Sequence, residues 1–171
     1  LLARRRTRLA GVLDALVDLP TVLPSAVAGV ALLLAFGRRG LVGSALSGVG
    51  LHLAFTRAAV VLAQVFVSAP LFVRAAAVGF AGVDAELEHA AALDGATPWQ
   101  CFRSVTVPLA WEALASGAAM AWARALGEFG ATIIFAGNLP GRTQTMPLAI
   151  YMGFETDFDV AVALSLVLLG L

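Results

Sequence analysis

The sequence predicts an all-α protein, a polytopic bundle of membrane-spanning helices. Of its 171 residues, 60% are hydrophobic and 13% are charged, and the mean hydropathy is +0.92. A soluble domain is about half apolar and a quarter charged. The apolar residues are also gathered into long segments, and a helix needs roughly 20 such residues to cross a membrane. These observations place the chain among membrane proteins before any motif is considered.

Charge and residue usage exclude several functional classes. The formal net charge is zero, so nothing indicates binding to nucleic acid. The single cysteine, Cys101, excludes an intrachain disulfide and a cysteine-rich metal site, and His52 and His89 stand alone without metal-ligand spacing. No Gly-x-x-x-x-Gly-Lys-Ser/Thr pattern occurs, so the chain has no P-loop. We therefore predict no cofactor, no metal and no catalytic set.

About four spans are predicted within a single membrane domain covering residues 1–171. Residues 1–19 form a basic amphipathic stretch that is expected to lie along the inner membrane surface. The predicted spans are residues 20–36, 53–80, 107–126 and a last one from residue 158 onward. The segment 53–80 is longer than the hydrocarbon core, so we expect it to tilt, to kink at Pro70 or to extend into the cytoplasm.

The loop at residues 37–52 is rich in glycine and serine and is predicted to lie outside the cell. Arg38 and Arg39 within it run against the preference of arginine for the cytoplasmic side. Charge bias alone therefore leaves the topology open.

A polar stretch at residues 84–108, here called the elbow, stands between two long apolar segments. We predict two short helices that meet at a fixed angle. Asp84 is suited to cap the first helix, where the helix dipole favours negative charge. Gly95 stands where a left-handed residue would end that helix.

The second helix of the elbow has its own start signals. Thr97 and Gln100 match a capping box, and Pro98 occupies the first helical position. Pro108 is expected to bound this helix. A capped, rigid elbow is better suited to docking a partner than to serving as a flexible linker.

The spacing within the elbow resembles the cytoplasmic loop of binding-protein-dependent ABC importer permeases, whose pattern is Glu-Ala-Ala, three residues, then Gly. The position of the family's glutamate is occupied by His89, and Glu88 lies one residue earlier. Whether Glu88 takes over the contact of that glutamate is left open. The resemblance implies a loop that inserts into a cleft of a cytoplasmic ATPase and carries its motion to the membrane. The residues assigned to this coupling loop are Glu88, His89, Ala90, Ala91, Gly95, Thr97 and Pro98. The alternative is an amphipathic surface helix without a partner.

Ionisable residues also occur at membrane depth. Arg124 and Glu128 are four residues apart, so they can face one another on a helix. One interpretation is a structural ion pair that holds the bundle together. The other is a gate in a transport pathway, formed by Glu128 with its neighbouring glycines. The gate and pathway candidates are Glu128, Gly130, Thr132 and Asn138.

A second resemblance covers residues 125–151. Ala-Leu-Gly-Glu-Phe-Gly-Ala-Thr and Phe-Ala-Gly-Asn-Leu-Pro-Gly-Arg-Thr-Gln-Thr look like molybdate permease subunits, and sulfate permeases are similar around Glu-Phe-Gly. The similarity extends over nearly the whole chain. Relative to that family, this chain is expected to be a fragment that lacks the first two spans and has an incomplete last one.

The resemblance implies an ATP-driven importer of a tetrahedral oxyanion in the cell inner membrane. Molybdate is the expected cargo, and sulfate and tungstate are alternatives. The implied partners are a second permease subunit in a homodimer, two cytoplasmic ATPase subunits, an external oxyanion-binding protein and membrane lipid. Polar donors at residues 142–145 could meet the cargo, or could form a solvated external loop.

Two other functional classes remain open from the residues alone. A membrane-embedded enzyme would use Glu112, Arg124 and Glu128, but no nucleophile or metal set accompanies them. A structural membrane subunit would have no pathway. A bound ATPase would separate the permease from both.

Overall fold

The computed structural model of the protein describes residues 8–171, with side chains from residue 11 onward. Over this range the chain is helical with short connections, and it contains no strand. The helices are α1 (Arg8–Val22), α2 (Ser25–Phe36), α3 (Gly43–Gly48), α4 (Arg57–Ala81), α5 (Ala85–Leu93), α6 (Pro98–Cys101), α7 (Val107–Leu109), α8 (Trp111–Leu126), α9 (Gly130–Phe135), α10 (Met146–Thr156) and α11 (Phe158–Leu169), with a π-helical stretch, Phe102–Thr106, between α6 and α7. The predicted all-α class is confirmed.

The predicted second span, residues 53–80, corresponds to α4, Arg57–Ala81, which runs unbroken through Pro70. It is the one helix of the described residues that is long and apolar enough to cross a membrane. The apolar helices α2 and α11 are shorter, with 12 residues each.

The predicted first span, residues 20–36, is wrong at its start. Helix α1 continues to Val22, and Pro24 is extended, with ψ 137°, directly before α2. Proline has no N–H to donate to the preceding turn, so the chain ends one helix and begins another here. Residues 1–7 of the predicted amphipathic stretch lie outside the described residues.

Two further boundaries differ from the prediction. The loop at 37–52 contains a short helix, α3. Pro108 does not end the second helix of the elbow, because it lies inside α7, directly after the π-helical stretch. The helical run breaks at Ala110, where ψ is 0°, so the helix within the predicted third span, residues 107–126, begins at Trp111.

The chain contacts divide the protein into two compact units. The elbow unit comprises Ala69–Trp122 with the described part of Leu1–Asp18, and the core unit comprises Leu19–Ser68 with Ala123–Leu171. The single domain over residues 1–171 stays a prediction.

Small residues allow close helix packing within the elbow unit. A Cβ added at Gly79 would lie 2.6 Å from the Ala113 Cβ, and one added at Gly117 would lie 2.5 Å from the Ala75 Cβ. Helices α4 and α8 therefore approach closely, as small residues permit in membrane bundles. Helix α1 is joined to α4 because Arg74 donates to the Asp18 carboxylate, which holds the pKa of Asp18 below its usual range.

The core unit is built around α2, α4 and α9. Its buried cluster consists of small and large apolar residues: Ala28, Leu32, Ala59, Ala63, Val67, Ala131, Phe135 and Ala136. Helices α2 and α9 meet at Gly29, where an added Cβ would lie 2.8 Å from the Ile134 Cβ. Helices α10 and α11 meet at Gly153, which packs against Ala161 in the same way.

Candidate functional site

The first helix of the elbow begins and ends as the sequence predicts. The Asp84 Oδ1 accepts a hydrogen bond from the Glu86 N–H at 2.9 Å. At the other end Gly95 is left-handed, with φ +89°. Its N–H donates to the Ala92 carbonyl at 3.1 Å, and the Ala96 N–H donates to the Ala91 carbonyl at 3.0 Å. These two bonds complete a Schellman motif, which fixes the direction in which the chain leaves α5.

The second helix of the elbow starts with the predicted capping box. The Thr97 Oγ1 accepts from the Gln100 N–H at 3.3 Å, and the Gln100 Oε1 accepts from the Thr97 N–H at 2.8 Å. Pro98 is the first residue of α6. Both elbow helices are therefore capped. The backbone of Gly95 and Ala96, which lie between the two caps, has little conformational freedom.

A hydrogen bond across the elbow braces the two arms. The Thr106 Oγ1 donates to the Glu88 Oε1 at 2.8 Å, and the Cys101 thiol donates to the Glu88 carbonyl at 3.7 Å. Thr106 is buried and Glu88 is half-buried. Glu88 therefore stabilises the elbow from within. Sequence reasoning missed this contact because the partners are 18 residues apart.

Much of the elbow surface is exposed and partly apolar. His89, Ala90, Gly95, Thr97 and Pro98 are all exposed, and Ala91 is half-buried. Two large apolar side chains extend this surface, with Leu93 89% and Trp99 66% exposed. We call His89, Ala90, Leu93 and Trp99 the elbow face. Leu93 and Trp99 were not among the predicted coupling residues. Large apolar residues within a polar stretch could nevertheless have predicted an exposed apolar surface here.

The Trp99 ring is held in place by neighbouring aromatic rings. Its centroid lies 5.7 Å from that of Phe102, which in turn lies 5.8 Å from that of Phe80 in α4. Tilted rings at these distances attract one another. The elbow face is therefore connected through aromatic packing to α4, the helix that is long and apolar enough to cross a membrane.

The second candidate region surrounds Glu128, which is 1% exposed. Its Oε2 lies 2.7 Å from the Arg124 Nη1, and its Oε1 accepts from the Ala131 N–H at 2.7 Å. The predicted ion pair is therefore present, but Glu128 is not on the same helix as Arg124, since α8 ends at Leu126. Its carboxylate instead joins the end of α8 to the first turn of α9.

The neighbouring gate candidates are also engaged in the fold. The Thr132 hydroxyl donates to the Phe129 carbonyl at 2.8 Å. Gly130 lies so close to α2 that an added Cβ would be 2.5 Å from the Ser25 Oγ. In α4, the Gln64 Nε2 donates to the Ala125 carbonyl at 3.1 Å. These contacts make the α8–α9 junction a packed structural node.

The loop between α9 and α10 contains buried polar atoms. The Leu139 carbonyl accepts from the N–H groups of Arg142, Thr143 and Gln144, and the Thr143 hydroxyl accepts from the Leu139 N–H at 3.0 Å. Thr143 is buried. The alternative in which residues 142–145 form a solvated loop is therefore wrong for Thr143. The Asn138 Oδ1 and the Thr145 Oγ1 are buried without a hydrogen-bond partner among the described residues.

The described side chains bring no three His, Cys, Asp or Glu residues together in a way that could hold a metal ion. Cys101 is a free, half-buried thiol. The two candidate regions thus offer an exposed, partly apolar surface and a packed junction.

Comparison with known proteins gives a match along the whole chain. The family described as binding-protein-dependent transport system inner membrane component matches residues 1–171. The molybdenum transport system permease protein ModB of Mycobacterium tuberculosis is 50% identical over 167 residues, which is 98% of this chain and 63% of that protein. The chain thus spans less than two thirds of the length of this relative.

More distant relatives show the same pattern. ModB of Escherichia coli, also a molybdenum transport system permease protein, is 42% identical over 84% of this chain and 63% of its own length. The probable sulfate transport system permease protein cysT of Chlorella vulgaris is 38% identical over 84% of this chain and 54% of its own length.

Proposed function

Because this chain belongs to the family of binding-protein-dependent transport system inner membrane components, we propose that it is a multi-pass permease subunit of an ATP-driven importer for a tetrahedral oxyanion. ATP is hydrolysed by partner subunits, because the sequence has no P-loop of its own. The observation that carries the proposal is the family match over residues 1–171 together with a rigid, exposed elbow face.

Molybdate is the proposed cargo. The relatives at 50% and 42% identity are named as molybdenum transport permeases, and the relative named for sulfate is 38% identical. Sulfate and tungstate are the alternatives, since both are tetrahedral dianions with the same hydrogen-bonding requirements. Selectivity among them is expected to come largely from an external oxyanion-binding protein.

The elbow face is the proposed docking surface for the ATPase. An exposed Leu93 and Trp99 in a capped loop are costly in water and gain free energy when a partner covers them. Leucine and tryptophan supply large buried area at such interfaces, and tryptophan is typical of their centres. His89 and Ala90 lie on the same face, whereas Glu88 points into the elbow and is proposed to brace it.

The internal bonds of the elbow support a role in transmitting motion. The capping box, the Schellman motif and the Glu88–Thr106 bond leave few ways for the elbow to deform. A push by a closing ATPase would therefore move the elbow as a body, together with the helix to which its aromatic rings are packed.

The pathway residues are proposed within the core unit. Arg124 and Glu128 form the structural ion pair that holds the α8–α9 junction, and Gly130 and Thr132 let α9 pack closely beside it. Asn138 is the proposed cargo contact in the α9–α10 loop, because its side-chain amide offers N–H donors that an oxyanion can accept. The complete assembly would contain a second permease subunit, two ATPase subunits and the binding protein.

The docking proposal is tested with a pair of equally exposed leucines. Leu93→Ser removes an apolar side chain from the elbow face, and Leu41→Ser removes one that is 90% exposed in the 37–52 loop, against 89% for Leu93. Losing one buried leucine costs about 1.5–3 kcal/mol, so Leu93→Ser should weaken ATPase co-purification at least about tenfold. Leu41→Ser should leave it unchanged. Equal loss of ATPase binding in both leucine variants would argue against the elbow face as the docking surface.

Uptake by the reconstituted transporter tests the cargo. Radiolabelled molybdate should accumulate in an ATP-dependent manner, and unlabelled molybdate should compete better than sulfate. Absence of oxyanion uptake would argue against the proposed function.

A further inference from the structure

A cavity in the core unit lies between the end of α2, the segment leading into α4 and the α9–α10 loop. Its volume is about 520 Å³, which is within the range of small-molecule sites. Much of its wall is apolar. The polar side chains that line it are Arg38, Ser47, His52, Thr56 and Arg142.

The charged groups of the cavity are all basic. Two guanidinium groups, from Arg38 and Arg142, line it together with the His52 imidazole, and no carboxylate does. Residues 19–83 and 129–154 contain no Asp or Glu at all. Neither arginine forms an ion pair with a carboxylate of the described residues. Among the described residues, the positive charge of this cavity therefore has no carboxylate counter-ion.

The backbone next to Arg142 is held in place by a contact to α4. The Arg57 Nη2, at the start of α4, donates to the Gly141 carbonyl at 3.1 Å. Gly141 is left-handed, with φ +74°, and directly precedes Arg142. The hydrogen bonds to the Leu139 carbonyl tighten the same turn. The backbone that carries Arg142 is thus fixed to the start of a long helix.

This arrangement has the chemistry of an anion site. Guanidinium groups bind tetrahedral oxyanions through paired, charge-assisted N–H donors. Arg38 and Arg142 are both exposed, so an incoming anion can reach them from solvent, and a cleft with charge of one sign raises the local concentration of the opposite ion.

We infer that this cavity is an anion vestibule, where a tetrahedral oxyanion is held transiently by Arg38 and Arg142 before it enters the transport path. The inference rests on the proposed function. It also gives a reason for Arg38 in a loop that is predicted to lie outside the cell, where arginine is otherwise disfavoured.

Direct binding measures the vestibule separately from transport. The complete transporter in phosphatidylcholine nanodiscs, without binding protein, is titrated with radiolabelled molybdate. Arg38→Gln and Arg142→Gln should each weaken binding about tenfold, since each removes a charge-assisted hydrogen bond. Arg39→Gln is the matched control, because Arg39 is an exposed neighbour that does not line the cavity. Equal binding in all three variants and the wild type would overturn the inference.

A second measurement needs no variant. Phenylglyoxal modifies accessible arginines, and mass spectrometry quantifies each site in the wild-type transporter. Molybdate should protect Arg38 and Arg142 at least about threefold more than Arg39, whose guanidinium is expected to stay free. The same labelling is repeated in nanodiscs that contain phosphatidylglycerol. If phosphatidylglycerol protects Arg38 and Arg142 while molybdate does not, the cavity binds a lipid headgroup and the inference is overturned.

Failure of the vestibule and failure of the proposed function give different results. If wild-type uptake is ATP-dependent while Arg38→Gln and Arg142→Gln bind molybdate normally, the vestibule is wrong and the permease function stands. If the wild type neither transports nor binds any oxyanion, both are wrong.

Discussion

At the scale of single residues, Glu128 is the one carboxylate that is buried among the described residues. Its charge is balanced by Arg124 and by the Ala131 N–H. Removing the cation leaves a buried negative charge with a single neutral donor, and breaking a buried pair from one side typically costs about 3–5 kcal/mol. The pair is therefore expected to matter more for folding than for cargo.

We predict that Arg124→Gln destabilises the protein by about 3 kcal/mol. Arg124 is partly exposed, so the lower end of the range applies. The double variant Arg124→Gln/Glu128→Gln should recover most of the loss, because the uncompensated charge is gone. Thermal unfolding in detergent measures both. If the double variant is as unstable as the single one, burial of the carboxylate charge is not the cause.

Thr106 gives a second residue-scale prediction. Thr106→Val keeps the shape of a buried side chain but removes the donor to Glu88, which typically costs about 1–2 kcal/mol. We expect a looser elbow, with more ATP hydrolysed for each oxyanion imported. Ser104→Ala is the control, since Ser104 is exposed nearby. An unchanged ratio of hydrolysis to uptake in Thr106→Val would show that this brace does not transmit motion.

At the scale of elements, close packing of α2 and α9 depends on Gly29. A Cβ there would lie 2.9 Å from the Ala131 Cα and 3.0 Å from its carbonyl oxygen, so backbone must move. We predict that Gly29→Ala destabilises the protein by about 1–3 kcal/mol. Gly11→Ala in α1, where nothing lies within 4 Å, should be neutral or slightly stabilising. The midpoint of thermal unfolding distinguishes the two, and equal midpoints would contradict the packing argument.

Gly95 controls the angle between the two elbow helices. Proline cannot adopt φ +89° and also removes the N–H that donates to the Ala92 carbonyl. Gly95→Pro should therefore uncouple ATP hydrolysis from uptake without preventing membrane insertion. Gly50→Pro is the control for membrane insertion and ATPase binding, because Gly50 also has a left-handed φ of +78° and its N–H donates to the Ser47 carbonyl. Normal coupling in Gly95→Pro would count against the elbow as the transmitting element.

The caps of the elbow could be predicted from sequence because each depends on residues a few positions apart. Asp84, Gly95, and Thr97 with Gln100 all satisfy backbone groups of their own helix. The ends of helices at prolines were less predictable. Pro24 separates two helices, whereas Pro70 lies inside one, because neighbouring contacts and not the proline alone decide whether a helix continues.

Contacts that depend on where a helix ends or how separate segments come together could not be predicted from sequence. The Arg124–Glu128 pair was predictable because its spacing is local. The bond from the Glu128 carboxylate to the Ala131 N–H depends on where α8 ends, and the Glu88–Thr106 bond depends on how the elbow closes. The cavity that contains Arg38 and Arg142 joins residues from three separate segments, so no sequence window contains it.

At the scale of the whole molecule, function depends on the side of the membrane to which each connection is exposed. Helix α4 has 25 residues, which at ~1.5 Å per residue is about 37 Å and enough to cross a ~30 Å hydrocarbon core. The 37–52 loop precedes it and the elbow follows it. A docking face for ATPase and a vestibule for external anions require these two connections to lie on opposite sides.

Cysteine accessibility tests this arrangement with the same two leucines. In a Cys101→Ser background, Leu41→Cys and Leu93→Cys place thiols at positions of nearly equal exposure, 90% and 89%. A membrane-impermeant maleimide should label Leu41→Cys in right-side-out vesicles and Leu93→Cys only in inside-out vesicles. Because both side chains are exposed, a difference in labelling reports the side of the membrane and not local burial. Labelling of both from the same side would mean that α4 does not separate them, and the proposed ATPase contact would then be wrong.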